Sequence, residues 1–135
     1  MKPLAILALA FCVASCTAAA GDAPAEISAE AQSRLAEELR GYAAGQPVSC
    51  VNLRDLLGNR SVGDALVFQG RGDLLYVNQP AAACPTLDSG RSLSTRTPST
   101  RLCRGDIARV FDPVSGIEYG GCGLGDFTPY RRIRG

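Results

Sequence analysis

The sequence predicts a mainly β protein: a small antiparallel β-barrel or roll with one N-terminal helix and two disulfides. Three observations support this prediction. From residue 48 onward, short apolar runs alternate with Gly, Pro, Asn and Asp, which is typical of short strands joined by turns. Residues 27–42 instead carry apolar side chains at helical spacing. Four cysteines lie in the β-rich part, and an even number in an exported chain indicates disulfides.

The predicted helix has a narrow apolar stripe with charged residues between its members. Ser28 is placed to cap its N-terminus, and Gly41 is placed to end it. A stripe this narrow either packs on the domain or extends the chain that leads to the domain. Its apolar positions are Ile27, Ala31, Leu35, Leu39 and Tyr42.

The candidate strands are rich in aliphatic and aromatic residues and are bounded by turn residues. Gly-Arg-Gly-Asp at 70–73 and Asp-Pro-Val-Ser-Gly at 112–116 are predicted hairpin turns. Residues 79–91 form the most irregular loop, and binding residues concentrate on loops. The predicted strands are residues 48–53, 65–69, 74–78, 92–97, 107–111 and 117–121.

The N-terminus has the layout of a secretory signal. Lys2 is the only charge before Asp22, and residues 4–13 form an apolar run shorter than the ~20 residues that span a bilayer. The run ends in Val13-Ala14-Ser15-Cys16, which is an aliphatic residue, two small residues and a cysteine. This stretch resembles the lipobox of bacterial lipoprotein signal peptides. A competing A-x-A site at residues 18–20 would instead release a soluble chain.

The lipobox resemblance implies cleavage before Cys16 and acylation of Cys16, with palmitate among the expected fatty acids. More than one acyl chain gives stable anchoring, at ~0.8 kcal/mol for each buried CH₂. By the same resemblance, Thr17 favours the periplasmic face of the outer membrane, because Asp at that position marks inner-membrane retention in enteric bacteria. The chain then divides into a signal peptide at 1–15, a lipidated tether at 16–26, a helix and linker at 27–47, and a disulfide-stapled β domain at 48–135.

The cysteines Cys50, Cys84, Cys103 and Cys122 allow three pairings. A hairpin centred on Val114 staggers Cys103 and Cys122 by ~10 Å, beyond the ~7 Å that a disulfide allows between Cα atoms. We therefore expect Cys84–Cys103, which closes a local loop, and Cys50–Cys122, which ties the first strand to the last. The chain has no His and no C-x-x-C pair, so it shows no zinc-ligand spacing.

Three further motifs have structural interpretations. Arg-Gly-Asp occurs at 71–73 and 104–106, each time before an apolar run, which favours turns over adhesion mimicry. The glycine-dense stretch 120–125 indicates close backbone packing around a disulfide. The basic residues Arg131, Arg132 and Arg134 suggest a frayed, solvated tail.

Several short pieces between residues 49 and 129 are similar, as a set, to an uncharacterised family of small four-cysteine envelope proteins from proteobacteria. The resemblance implies that the four cysteines and the strand pattern belong to one fold, and it implies no activity. The pieces are Ser49-Cys50-Val51, Leu66-Val67-Phe68, Tyr76-Val77-Asn78, Cys84-Pro85-Thr86-Leu87, Leu102-Cys103 with Asp106-Ile107, and Cys122-Gly123-Leu124-Gly125 followed by Phe127 and Pro129.

Composition argues against several function classes. After Cys16, thirteen Arg face thirteen acids, and broad nucleic-acid binding needs a basic excess. The lack of His removes Ser–His and Cys–His nucleophile pairs, and disulfide formation removes free thiolates. We therefore expect no catalytic residue, no metal, no cofactor and no enzymatic activity.

The expected function is that of a non-catalytic envelope lipoprotein that binds or supports another envelope component. Its expected partners are the lipid bilayer, through acylated Cys16, and an unidentified envelope protein or glycan. One alternative is a periplasmic inhibitor of a hydrolase such as lysozyme, with residues 79–91 as the inserting loop. A small-ligand carrier is the third, and it would need an apolar cavity from only four Phe, four Tyr and no Trp.

Overall fold

The computed structural model describes residues 29–81, 84, 87 and 91–135, and in this part the chain forms one α-helix and ten strands. Every ladder between these strands is antiparallel, which confirms the predicted β-rich class with one helix and two disulfides. The elements are α1 (Ala29–Glu38), β1 (Tyr42–Ala44), β2 (Cys50–Asn52), β3 (Leu56–Val62), β4 (Ala65–Gly70), β5 (Leu74–Asn78), β6 (Ser92–Thr95), β7 (Arg101–Cys103), β8 (Ile107–Phe111), β9 (Glu118–Gly123) and β10 (Phe127–Arg132). A 3-10 turn at Leu53–Asp55 joins β2 to β3.

The strands form three sheets rather than one closed barrel. The largest has five strands in the order β1-β10-β5-β4-β3, while β2 pairs with β7, and β6, β8 and β9 form a third sheet. Strand β10 lies inside the five-stranded sheet, where Arg132 faces Tyr42 of β1 and Arg131 faces Leu74 of β5. The interpretation of the basic C-terminus as a frayed tail is therefore wrong, because Arg131 and Arg132 belong to a strand with a neighbour on each side.

Side-chain alternation gives the five-stranded sheet two apolar faces. On one face, Val67 and Val77 pack with Leu35 of α1. On the other, Phe68 and Phe127 lie with ring centroids 5.7 Å apart, in a core that also includes residues of β2, β7 and β8. The second face therefore joins the large sheet to the two smaller ones.

Helix α1 packs on the domain. Leu35 and Leu39 contact the first face of the large sheet, and Glu38 forms an ion pair with Arg60 of β3. Gly41 follows the helix with φ of +80°, as a terminating glycine does. The predicted cap Ser28 lies outside the described residues.

The predicted cysteine pairing is wrong: the structure contains Cys50–Cys103 and Cys84–Cys122. Strand β7 was not predicted, and its pairing with β2 places Cys50 directly opposite Cys103, with Cα atoms 4.0 Å apart. The β8–β9 register also differs by two residues from the prediction, since Ile107 faces Gly123 rather than Gly121. The exclusion of a Cys103–Cys122 bond is confirmed.

Candidate binding groove

An open groove of about 420 Å³ lies where the β2–β7 pair meets strands β5 and β10. We call it the β2/β10 groove. One wall comes from β2, β7 and their neighbours, and is made of Val48, Cys50, Val51, Asn52, Asp55 and Arg101. The other wall is made of Tyr76, Pro129 and Arg131.

Backbone pairing places the residues of the second wall. Tyr76 of β5 lies opposite Pro129 of β10, and Arg131 follows Pro129 by two residues on the same face of the strand. The segment before β2 is fastened to the start of β10, because Val48 and Phe127 exchange two backbone hydrogen bonds of 2.8 and 2.9 Å. This bridge sets the spacing of the two walls at one end of the groove.

Arg101 stands on a strand whose backbone is held on both sides. Arg101 lies opposite Asn52 of β2, and the disulfide Cys50–Cys103 crosslinks the same two strands. The hydroxyl of Ser99 donates to the Arg101 carbonyl at 2.8 Å and accepts from the Arg101 amide at 3.1 Å. The hydroxyl of Thr97 donates to the same carbonyl at 3.1 Å. The Arg101 main chain is thus fixed before any ligand arrives.

Charge distinguishes this groove from the rest of the described surface. Carboxylates neutralise many of the described arginines, in the ion pairs Arg34–Glu30, Arg40–Glu37, Arg60–Glu38, Arg71–Asp55, Arg104–Asp126, Arg109–Glu118 and Arg134–Asp73. Arg101 and Arg131 form no ion pair with a described residue. Arg54, Arg96 and Arg132 share that property, but none of them lines the groove.

The groove contains one carboxylate, on Asp55, and that charge is already paired. The Nε of Arg71 lies 3.5 Å from Asp55 Oδ1, and Asn52 Nδ2 donates to Asp55 Oδ2 at 3.4 Å. Two cationic side chains therefore remain without a counter-charge in the groove. On the other side of β10, the Tyr42 hydroxyl accepts a hydrogen bond from Arg132 at 3.3 Å and raises the pKa of that guanidinium.

A second cavity, of about 290 Å³, lies on the opposite face between α1 and the large sheet. Its acidic residue, Asp126, is bound by Arg104 at 3.2 Å. This cavity has no unpaired charge among its lining residues, which are Leu35, Pro47, Val77, Gln79, Asp126, Thr128 and Tyr130. It is a weaker candidate for the recognition of a charged ligand.

The turn between β8 and β9 is ordered and projects an apolar side chain. Asp112 Oδ1 accepts from the amides of Val114 at 2.7 Å and Ser115 at 3.1 Å, and the Gly116 amide donates to the Asp112 carbonyl at 2.8 Å. The bonds from Ser115 and Val114 lower the pKa of Asp112. Val114 at the tip is 94% exposed.

Of the site residues predicted from sequence, Cys16 lies outside the described residues, as do most positions of loop 79–91. Both Arg-Gly-Asp motifs are turns, with Gly72 at φ +66° and Gly105 at φ +91°. Among the described residues, no group of His, Cys, Asp and Glu could hold a metal ion. The groove residues Arg101 and Arg131 were missed, because only strand pairing brings them together.

No known protein-family model matches this chain, and neither does any curated protein or any solved structure. In the part of the chain that the structure describes, no helix has the length and apolarity needed to cross a membrane.

Proposed function

We propose that this protein is a non-catalytic, membrane-tethered envelope protein that binds another envelope component in the β2/β10 groove. The observation that carries the proposal is the presence of two arginines, Arg101 and Arg131, in one groove without an ion pair to any described residue. Guanidinium groups left without a counter-charge beside a concave surface are typical of a recognition site.

The tether is attributed to Cys16, on the lipobox resemblance of Val13-Ala14-Ser15-Cys16. Growth with a radioactive fatty acid is expected to label the wild-type chain and not Cys16→Ala. A mature chain that begins at Gly21 would contradict this part of the proposal.

The absence of catalysis is proposed on the chemistry of the groove. Its carboxylate, Asp55, is bound by Arg71, and its cysteine, Cys50, is in a disulfide. The whole sequence contains no His. His is the residue that most often carries general acid–base catalysis, and a nucleophilic cysteine must be a free thiolate, so this chemistry favours binding over catalysis.

Site-specific photo-crosslinking in cells tests the binding function. A photoreactive residue at Asn52, exposed at the groove, is compared with one at Gln69, exposed on β4 outside the groove. A crosslinked product is expected from position 52 and not from position 69, and it is expected to disappear when Arg101→Gln and Arg131→Gln are combined. Equal products from both positions, or none from position 52, would refute the proposal.

A second candidate function is hydrolase inhibition, and the Asp112 turn is the observation that favours it. Inhibitors insert a rigid loop into a cleft, and preorganisation lowers the entropy lost on binding. Val114 is the exposed tip of such a turn. If the protein inhibits a cell-wall hydrolase such as lysozyme, Val114→Asp is expected to abolish the inhibition. Unchanged inhibition by that variant would exclude this turn.

A further inference from the structure

We infer that the β2/β10 groove binds the phosphate group of a membrane lipid headgroup through Arg101 and Arg131. This inference rests on the proposed function and specifies its ligand. The guanidinium group is planar and presents N–H donors in a fixed fork, which matches two oxygens of a phosphate. Two such groups line one groove, on strands β7 and β10.

The backbone around both arginines is already held in place, so ligand binding has few groups left to order. The Arg101 main chain is held by the hydroxyls of Thr97 and Ser99, and its strand is crosslinked by Cys50–Cys103. Arg131 lies in β10, which has a paired strand on each side. Only the two side chains remain to be fixed, at a cost of ~0.5–1.5 kcal/mol each.

The local charge favours a single compact anion. Asp55 does not oppose it, because Arg71 and Asn52 already bind that carboxylate. The mature chain carries equal numbers of Arg and acidic residues, so its overall charge does not favour an extended polyanion such as nucleic acid. Two neighbouring cationic side chains match one phosphate group better than they match a long chain of phosphate groups.

The shape and the location favour a headgroup over free phosphate. The groove has about 420 Å³ of space and carries apolar surface from Val48 and Pro129, next to the ring of Tyr76. Inorganic phosphate would leave that surface uncovered, whereas a glycerol unit attached to the phosphate can contact it. A tether at Cys16 would precede Ala29 by 13 residues (29 − 16). Such a segment spans at most ~45 Å, which keeps the domain near the membrane surface and raises the headgroup concentration around it.

A titration followed by NMR tests the inference. The full chain, as processed in its host, is placed in uncharged maltoside micelles, and the Nε–Hε signals of its arginines are recorded. Glycerol 1-phosphate is expected to shift the signals of Arg101 and Arg131, inorganic phosphate is expected to bind more weakly, and glycerol is expected to have no effect. Arg101→Gln and Arg131→Gln are each expected to weaken glycerol 1-phosphate binding about tenfold, as for loss of a charge-assisted hydrogen bond.

The matched control is Arg96→Gln, which removes one exposed arginine that also lacks an ion pair to a described residue but lies outside the groove. The affinity of this variant for glycerol 1-phosphate is expected to stay within about twofold of the wild type, since solvent and salt screen an exposed charge that does not contact the ligand. An equal loss in Arg96→Gln would overturn the assignment, because binding would then reflect net charge. Unchanged amide signals elsewhere verify that each variant is folded.

The photo-crosslinked product from position 52 separates this inference from the function on which it rests. A product that carries the mass of a phospholipid supports the inference. If the product depends on the groove but contains a protein or glycan, the headgroup assignment is wrong and the binding function stands. Equal affinity for inorganic phosphate and glycerol 1-phosphate would also overturn the headgroup assignment. If no groove-dependent product forms, both proposals fail.

Discussion

Replacement of Asn78 by Ala is expected to be among the most destabilising single changes in this domain. Asn78 ends β5, and its side chain is completely buried. Its Nδ2 donates to the carbonyl of Gly125 at 2.7 Å, and its Oδ1 accepts from the amide of Gly125 at 2.9 Å. One side chain thus satisfies both backbone groups of a buried residue between β9 and β10.

The magnitude follows from the groups left without partners. Asn78→Ala removes two hydrogen bonds and leaves a buried N–H and a buried C=O on Gly125. Each of the two orphaned groups costs ~1–3 kcal/mol, so the free energy of unfolding should fall by ~2–6 kcal/mol. A typical domain is stable by only ~5–15 kcal/mol. A loss of ~2 kcal/mol corresponds to a fall in Tm of about 8–16 °C for a small domain.

Urea unfolding followed by far-UV circular dichroism measures the change, since the chain has no Trp for fluorescence. Asn59→Ala is the matched control, because Asn59 is exposed on β3 and a surface change of this kind is worth within about ±0.5 kcal/mol. A loss for Asn78→Ala no larger than that of the control would refute the reasoning.

Asn78→Asp tests the contribution of the hydrogen bond that Asn78 Nδ2 donates to the Gly125 carbonyl. The introduced carboxyl keeps an acceptor for the Gly125 amide, but when ionised it places an oxygen against the Gly125 carbonyl. The buried protonated form is favoured, so the folded-state pKa of this carboxyl should lie above its unfolded value of about 3.9. The stability deficit relative to wild type should therefore be smallest below about pH 4, and should grow as the pH rises through the folded-state pKa.

Three other predictions concern the disulfides, the Asp112 turn and the helix contact. Tryptic mapping without reduction should recover Cys50–Cys103 and Cys84–Cys122, and a peptide pair joining Cys103 to Cys122 would contradict the structure. Mild reductant should open Cys50–Cys103 first, because both of its residues are half-buried whereas Cys84 and Cys122 are buried. The pKa of Asp112, read from neighbouring amide shifts, should lie below 3.8. The turn is then fully stabilised above the unfolded-state pKa and loses that stabilisation as the pH falls through the lower folded-state value, and a midpoint at or above 3.8 would contradict this. Gly63→Ala should lower the free energy of unfolding in urea by ~1–3 kcal/mol, because Gly63 has φ of +58° and an added Cβ would lie 2.6 Å from the Cβ of Ala31. The control is Gly58→Ala, whose added Cβ meets nothing within 4 Å, and its loss of stability should be clearly smaller.

Strands bounded by turn residues were predictable from the sequence. The predicted strands at residues 74–78 and 107–111 match β5 and β8 at both ends. Each alternates buried apolar side chains with more exposed ones, and each follows an Arg-Gly-Asp turn. The alternation of side chains and the turn residues indicate the same strand at these two places, so the local sequence is sufficient to predict it.

Strands β3 and β10 were missed because their stability comes from their neighbours. Strand β3 contains Asn59, Arg60 and Ser61, which resemble a turn, yet all three pair with residues of β4. Strand β10 contains Pro129, which lacks an amide donor. The Pro129 carbonyl accepts from the Gly45 amide at 2.7 Å, just beyond the last residue of β1. The N–H that Pro129 lacks therefore falls at the end of the β1–β10 ladder, where its absence disrupts little backbone pairing.

The groove could not be predicted, since its two arginines lie 30 residues apart (131 − 101) and no sequence pattern links Arg101 to the basic residues Arg131, Arg132 and Arg134. They meet only because β7 pairs with β2 and β10 pairs with β5. A partial signal was present: Cys50 and Cys103 each adjoin a buried apolar residue, Val51 and Leu102. Two cysteines in such short segments are compatible with a cross-strand disulfide, but the sequence alone does not choose between the partners.

The disulfide and the groove are physically coupled. Strands β2 and β7 have three residues each and form a two-stranded sheet, which is marginally stable without further support. The Cys50–Cys103 bond closes 53 residues of chain, and the chain-entropy model gives such a crosslink ~4 kcal/mol. Reduction would remove that contribution to the stability of the fold, which includes the two strands that carry Cys50 and Arg101 on one wall of the groove. The proposed recognition of a phosphate group by Arg101 is therefore expected to weaken when this cysteine pair is reduced.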